Sequence, residues 1–260
     1  MSISYLSVVL GLLLLIVPCS LVFLLDRPSL PRVLMAMVRM VVQLAVLGLC
    51  VWGLCWVDSL WLSLLWIVLL SAVAGLVVVN RARLRPGLML MPVMVALLLS
   101  IVLVGAWLLV GVLRPESPLS ARWIVPVAGV LAAHAMPAGI RALPAFYESL
   151  RLQSQPYLVQ VGNGVSHWRA LLPFVRQSLL ALMGPLVSSL SVMGLFALPM
   201  LFSGLLLGGA GPLRAAAFVA VLTAGSVVAS IAFVLLTLVL ADRRAFDRRG
   251  NYLGVINQEK

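Results

Sequence analysis

Charge is scarce in this chain. Only 10% of its 260 residues are Asp, Glu, Lys or Arg, and 63% are hydrophobic, against about 25% and 45–50% in soluble domains. The few charges are lopsided: seven acids stand against 18 basic residues, all but Lys260 of them Arg, for a net charge of +11. This composition excludes a soluble enzyme, a disordered chain and a nucleic-acid-binding domain. The arginines sit in short clusters between apolar runs, the pattern of cytoplasmic loops in membrane proteins. The expected fold is all-α: a single polytopic helix bundle spanning residues 1–260.

Other absences narrow the chemistry. Cys19, Cys50 and Cys55 all lie in apolar stretches, with neither zinc spacing nor a disulfide framework, so they read as packing residues. There is no G-x-x-x-x-G-K-[ST] loop, no H-E-x-x-H and no G-x-S-x-G, hence no P-loop nucleotide site and no paired catalytic groups. Asp26, Asp58, Glu116, Glu148, Asp242, Asp247 and Glu259 all fall at loops or ends. A proton-driven carrier needs an ionisable relay inside the bilayer, and only His134 is available for one. Energy is therefore expected from a partner. No basic residue precedes Arg27, so residues 4–25 read as a first span rather than a signal peptide.

The charges leave uncharged runs at 1–25, 40–57, 59–80, 86–113, 123–140, 177–213 and 215–241. A crossing takes about 20 apolar residues, which gives about seven spans. The run 177–213 is too long for one helix and carries Gly184-Pro185, Pro199, Gly204, Gly208-Gly209 and Gly211-Pro212. It reads as a span followed by an irregular or re-entrant piece. Fifteen of the 18 basic residues fall in 26–39, 81–85, 141–176 and the tail 242–260. The positive-inside rule places these segments, and the C-terminus, in the cytoplasm and the N-terminus outside. Trp52, Trp56, Trp61 and Trp66 flank Asp58 and suit an interfacial aromatic belt.

The longest polar stretch, 141–176, contains a turn at 161–164 and then Ser166-His167-Trp168-Arg169-Ala170-Leu171-Leu172 before Pro173. Ser166 is a helix N-cap by type. A short amphipathic helix bracketed by Gly162 and Pro173 can dock in a groove of a soluble partner, with Trp168, Leu171 and Leu172 as anchors and Arg169 at the rim; the alternative is a solvated connector. His167 reads as a surface or interface contact rather than a metal ligand, since no Cys or acid is close in sequence.

Polar groups inside spans are candidates for a transport path. Arg39 and Gln43 lie one helical turn apart. His134 sits in a small-residue run where helices approach closely, suited to a cavity or to an interhelical hydrogen bond. Ser188, Ser189 and Ser191 follow Gly184-Pro185 and either line a polar path or satisfy carbonyls freed by the proline. Methionines near 35–40 and 89–94 suit apolar packing better than soft-metal binding. No metal-ligand set is identified.

These segments carry a resemblance. Arg39-x-x-x-Gln43-Leu44-x-x-x-Gly48, Pro126-Val127-Ala128-Gly129 with Ala135-Met136, and Gly194-Leu195-Phe196-Ala197-Leu198-Pro199 followed by Ser203-Gly204 and Gly208-Gly209-Ala210-Gly211-Pro212 are similar, in this order, to the FetB-type permeases, membrane subunits of a bacterial ABC iron exporter. Met200, Leu205 and Phe218-Val219 replace polar or glycine positions of the family pattern, and His134 replaces an Asn, as in a divergent member. The resemblance implies a permease in the bacterial inner membrane, working as a homodimer amid membrane lipid. It implies a separate cytosolic ABC ATPase that binds the ATP and magnesium; this chain itself is expected to hold no cofactor, to bind no nucleic acid and to be no enzyme. It also implies that 157–173 contacts the ATPase. Export of a metal ion, iron, is the expected activity. The alternatives are an ABC permease for an organic or lipid-like cargo, and a non-transporting membrane scaffold.

Overall fold

A computed structural model describes residues 13, 14, 16–25, 27–196, 199–245 and 254–255, with 192–196 and 199–200 described by backbone alone. Regular structure among them is helical, and six helices are long and apolar enough to cross a membrane. The expected first span is described only as α1 (Ile16–Leu25), ten residues long, too short for a crossing; its residues 1–12 lie outside the described set.

The chain divides into two compact units, 1–57 and 58–260. In the first, a 3₁₀ turn (Arg27–Ser29) joins α1 to α2 (Leu30–Val57). The expected loop 26–39 is thus mostly helix. Its arginines are too widely spaced to break a helix of Leu, Val and Met, and long side chains can carry their charge to the interface from within a span.

The second unit contains α3 (Leu60–Arg81), α4 (Pro86–Ala106), α5 (Ala121–Leu152), α6 (Ser154–Gly162), α7 (His167–Phe196), α8 (Pro199–Leu207) and α9 (Pro212–Ala245). Helix α5 is far longer than the 123–140 run suggested and carries Pro126, Pro137 and Pro144 inside it. Helix α7 likewise runs through Pro173 and Pro185. Prolines are tolerated in membrane helices because neighbouring groups re-satisfy the freed carbonyls, so they mark no ends here. The break in 177–213 comes later: α8 is a separate nine-residue helix, and Gly209 closes it with φ +89.

Hydrocarbon gives little drive for helices to associate, so small residues that admit close packing set the contacts. Helix α5 forms the centre, between α3, α4, α7 and α9. At Gly139 a Cβ would stand 2.4 Å from Phe233 Cε1 of α9 and 3.3 Å from Val78 Cγ1 of α3. Phe233 and Val78 are both fully buried. Two turns earlier on α9, Gly225 admits Leu108 in the same way. Leu108 belongs to a π-helical turn, Trp107–Leu113, that extends α4 and ends at Arg114. Helix α5 starts without a side-chain cap from Ser120. Asp58 Oδ1 instead accepts the Ala121 N–H at 2.7 Å, which places a carboxylate at the positive end of the helix dipole. Of the four tryptophans expected in an aromatic belt, Trp52, Trp56 and Trp61 are widely exposed and Trp66 is half-buried.

Gly139→Ala is expected to destabilise the bundle by about 1–3 kcal/mol through overpacking against Phe233. Gly129→Ala, where nothing lies within 4 Å of the added carbon, is expected to be nearly neutral. Thermal unfolding of the two variants in the same detergent checks this contrast.

Candidate functional site

The polar stretch after α5 folds into an elbow. Pro156 falls in the first turn of α6, where a missing N–H is no loss. The chain reverses at Gly164, whose φ of +84 favours glycine; Gly162 is the last residue of α6 and is exposed. The Ser166 carbonyl then accepts the Ala170 N–H at 3.0 Å, as an N-cap carbonyl does. The segment 166–172 is therefore no separate helix. It forms the first two turns of α7.

This changes the exposed surface. Leu171 is buried against the bundle, while Trp168 and Leu172 are 47% and 67% exposed. Leu171 lies a full turn from Phe174, also buried, on the stripe that packs against α5. The available anchors are thus Trp168 and Leu172, joined on α6 and the turn by Leu158, Val159 and Val165, all exposed. Arg169 is exposed beside them, as are Arg176, Arg141, Arg243 and Arg244, and Arg81, Arg83 and Arg85 on the turn between α3 and α4. Glu148 pairs with Arg151 at 2.6 Å. The elbow is an apolar ridge on a basic end of the bundle.

His167 fixes the ridge. Its Nε2 lies 2.7 Å from Asp242 Oδ1 at the end of α9, and its Nδ1 lies 2.8 Å from the Tyr157 hydroxyl of α6. The ring also meets Tyr157 and Trp168 edge to face, with centroids 6.0 and 5.9 Å apart. Three helices are thereby joined through one imidazole. With the ring neutral, Nε2–H donates to the carboxylate and Nδ1 accepts from the phenol. With the ring protonated, both nitrogens donate and the phenol oxygen accepts. The tie therefore survives either charge state of His167, which suits positioning better than pH sensing. Burial, and then the Asp242 carboxylate, push the Tyr157 phenol up from its ordinary value near 10.

The partners Tyr157 and Asp242 were not identified from sequence. Asp242 stands 75 residues beyond His167, within a run of arginines, and nothing local links the two. The only available signal was that Asp242 is the one acid beside Arg243 and Arg244.

Arg39 and Gln43 are exposed on α2, in the first unit. His134 is half-buried, with Nδ1 3.0 Å from Val130 O in its own helix. Ser188, Ser189 and Ser191 are exposed and donate to the carbonyls of Gly184, Leu186 and Val187. The carbonyl freed by Pro185 is that of Ala181, four residues back, so these bonds do not answer the proline. Pro126 and Gly129 lie inside α5, and Gly194 lies within α7. Pro199 and Pro212 begin α8 and α9, Gly204 lies within α8, and Gly208 follows it. Among the described residues there is no group of three or more His, Cys, Asp or Glu able to hold a metal ion.

The Tyr157 environment makes a test. Because the folded state holds the phenol proton more tightly, this group contributes stability that is complete below pH about 10 and is lost as pH rises through its raised value. Asp242→Asn removes the smaller of the two causes and is expected to bring phenolate formation at Tyr157 to lower pH. Ultraviolet difference titration against Tyr157→Phe reads this directly.

The chain is 32% identical over 98 residues to the rice (Oryza sativa subsp. japonica) UPF0014 membrane protein STAR2, covering 38% of this chain and 34% of that one. It is 28% identical over 98 residues to Protein ALUMINUM SENSITIVE 3 of Arabidopsis thaliana, covering 38% and 36%. The matched region is thus about a third of each relative. No solved structure matches. The model of the Uncharacterised protein family (UPF0014) matches residues 5–246, nearly the whole chain, so this multi-pass membrane protein belongs to that family.

Proposed function

We propose that the chain is the membrane-spanning permease subunit of an ABC transporter, driven by ATP hydrolysed on a separate cytosolic subunit, and that it exports a metal ion, iron. The observation that carries this reading is the elbow. An exposed Trp168–Leu172 ridge, rimmed by arginine and held rigidly to α9 through His167, has the form of a helix-in-groove coupling element. A rigid tie matters because a motor's motion reaches the spans only through a contact that does not yield. Alternating access is largely rigid-body movement of bundles about a central site.

The positive-inside rule supports the sidedness. The elbow, the α3–α4 turn and the end of α9 carry many of the arginines, which favours a cytoplasmic side for them and for the C-terminus, in a bacterial inner membrane. ATP and magnesium then belong to the partner.

Metal cargo rests on the FetB-type resemblance and on the name of the Arabidopsis relative, which refers to aluminium. A homodimer would present two copies of Gln43, His134, Ser188, Ser189 and Ser191, a weak ligand set suited to transient passage. An organic or lipid-like cargo is the second reading, favoured by the apolar residues Met200, Leu205 and Phe218 at positions where the family pattern is polar or glycine.

Trp168→Ala combined with Leu172→Ala is expected to reduce co-purification of the ATPase by about tenfold or more, since exposed apolar anchors of this kind dominate such contacts. Membrane insertion should be unchanged. Undiminished co-purification would refute the docking role. For the cargo, deletion of the gene is expected to alter tolerance to iron or peroxide. Unaltered tolerance in the deletion strain, where the intact chain co-purifies with the ATPase, would favour the organic cargo.

A further inference from the structure

The long helices of the second unit keep a common register. Trp123 of α5 meets Phe218 of α9 with ring centroids 6.2 Å apart. Further along both helices, Phe233 of α9 fills the space at Gly139 of α5, beside Val78 of α3. Helices α5 and α9 therefore run side by side in one direction. Ile67 of α3 lines a cavity with Val127 and Ala128 of α5, so α3 runs with them. Helix α7 runs the opposite way: its first residue, His167, reaches Asp242 near the end of α9, and Ser178 Oγ donates to the Ala142 carbonyl at 2.8 Å.

This register assigns the arginines to two depths. Arg122 adjoins Trp123, and Arg214 lies a turn before Phe218. Arg81, Arg141 and Arg176 follow Val78, follow Gly139 and precede Ser178 by a few residues each, which places them within about one turn of a second level. All five are exposed. From Arg122 to Arg141, α5 rises about 28 Å, close to the ~30 Å of a hydrocarbon core. The second level is the one nearer the elbow, and its charge is of one sign. Glu148 and Asp242, the described acids at this end, lie about 10 Å beyond it and are engaged by Arg151 and His167. Among the described residues, Arg81, Arg141 and Arg176 have no ion pair. Arg83 and Arg85, exposed in the α3–α4 turn, add to the same positive rim.

We propose that Arg81, Arg141 and Arg176 form a belt that binds the phosphates of anionic phospholipids in the leaflet on the elbow side. A guanidinium pairs with phosphate through two parallel hydrogen bonds, and at the rim of an apolar length that matches the hydrocarbon the anion within reach is a headgroup phosphate. Phosphatidylcholine brings an ammonium with its phosphate, and no described carboxylate at this depth can receive it. A headgroup of net negative charge is therefore preferred, as basic sites between spans hold such lipids. The proposal needs only that the second unit spans a bilayer and is independent of the ATPase reading.

Electron spin resonance of spin-labelled phosphatidylglycerol and phosphatidylcholine tests it, with the full chain reconstituted in phosphatidylcholine vesicles. The intact chain is expected to retain phosphatidylglycerol about fivefold more strongly than phosphatidylcholine. Arg81→Gln, Arg141→Gln and Arg176→Gln together should bring that ratio near one. Arg243→Gln with Arg244→Gln, beyond the belt, should leave it in place. Equal retention of the two lipids by the intact chain, or a preference that survives the triple variant, would overturn the belt. So would a preference abolished by the Arg243 and Arg244 changes, or by inorganic phosphate at matched ionic strength, which would mark a free-anion site. Should the triple variant fail to insert, Arg141→Gln and Arg176→Gln decide separately: each should lower the ratio, and no change in either overturns the proposal.

Discussion

Hydrocarbon offers no partner for a peptide N–H or C=O, and the structure depends on that constraint. Each crossing must satisfy its own backbone, which makes helices the answer before any side chain is considered. The constraint also removes the usual reason for helices to pack, because lipid is as apolar as leucine. What remains is fit. Gly139 lets α5 close against both α3 and α9, and Gly225 does the same for α9 against the π-turn after α4. The bundle is organised around α5 for this reason, and Ser178 Oγ of α7 adds a buried hydrogen bond to the Ala142 carbonyl of α5.

Polar tethers appear where water returns, at the two ends. At one end Asp58 caps α5 through the Ala121 amide. At the other, His167 joins α6 and α9 to the start of α7, and the tail meets the α3–α4 turn. Each joins residues far apart in sequence. Helix packing fixes the middle of the bundle, and these side-chain and backbone bonds fix the orientation of its ends.

The architecture was legible in the sequence because hydropathy and arginine placement are long-range averages that single residues cannot spoil. Proline was the misleading signal. Pro126, Pro137, Pro144, Pro173 and Pro185 would break helices in water, but in this chain all lie inside helices. Reading Pro173 as an end made the 166–172 segment look like a free amphipathic helix with Leu171 on its outer face. Continuation of α7 turns Leu171 inward instead. The close-packed glycines were illegible for another reason. Gly129 and Gly139 both stand among small residues of α5, and only the positions of Val78 and Phe233 tell them apart. Tyr157 and Asp242 escaped notice because their link to His167 exists only once three helices have met.

The prolines of α5 carry a mechanical consequence. Pro126, Pro137 and Pro144 each delete one rung of the helix ladder, and none of them is buried. The stiffness of the central rod is thus lowered on its outer side, while the surface bearing Gly139 stays continuous. A rod weakened on one side bends in a preferred plane. Strain applied at the elbow would be stored as curvature of α5 and returned, with the glycine seam intact as its neutral axis.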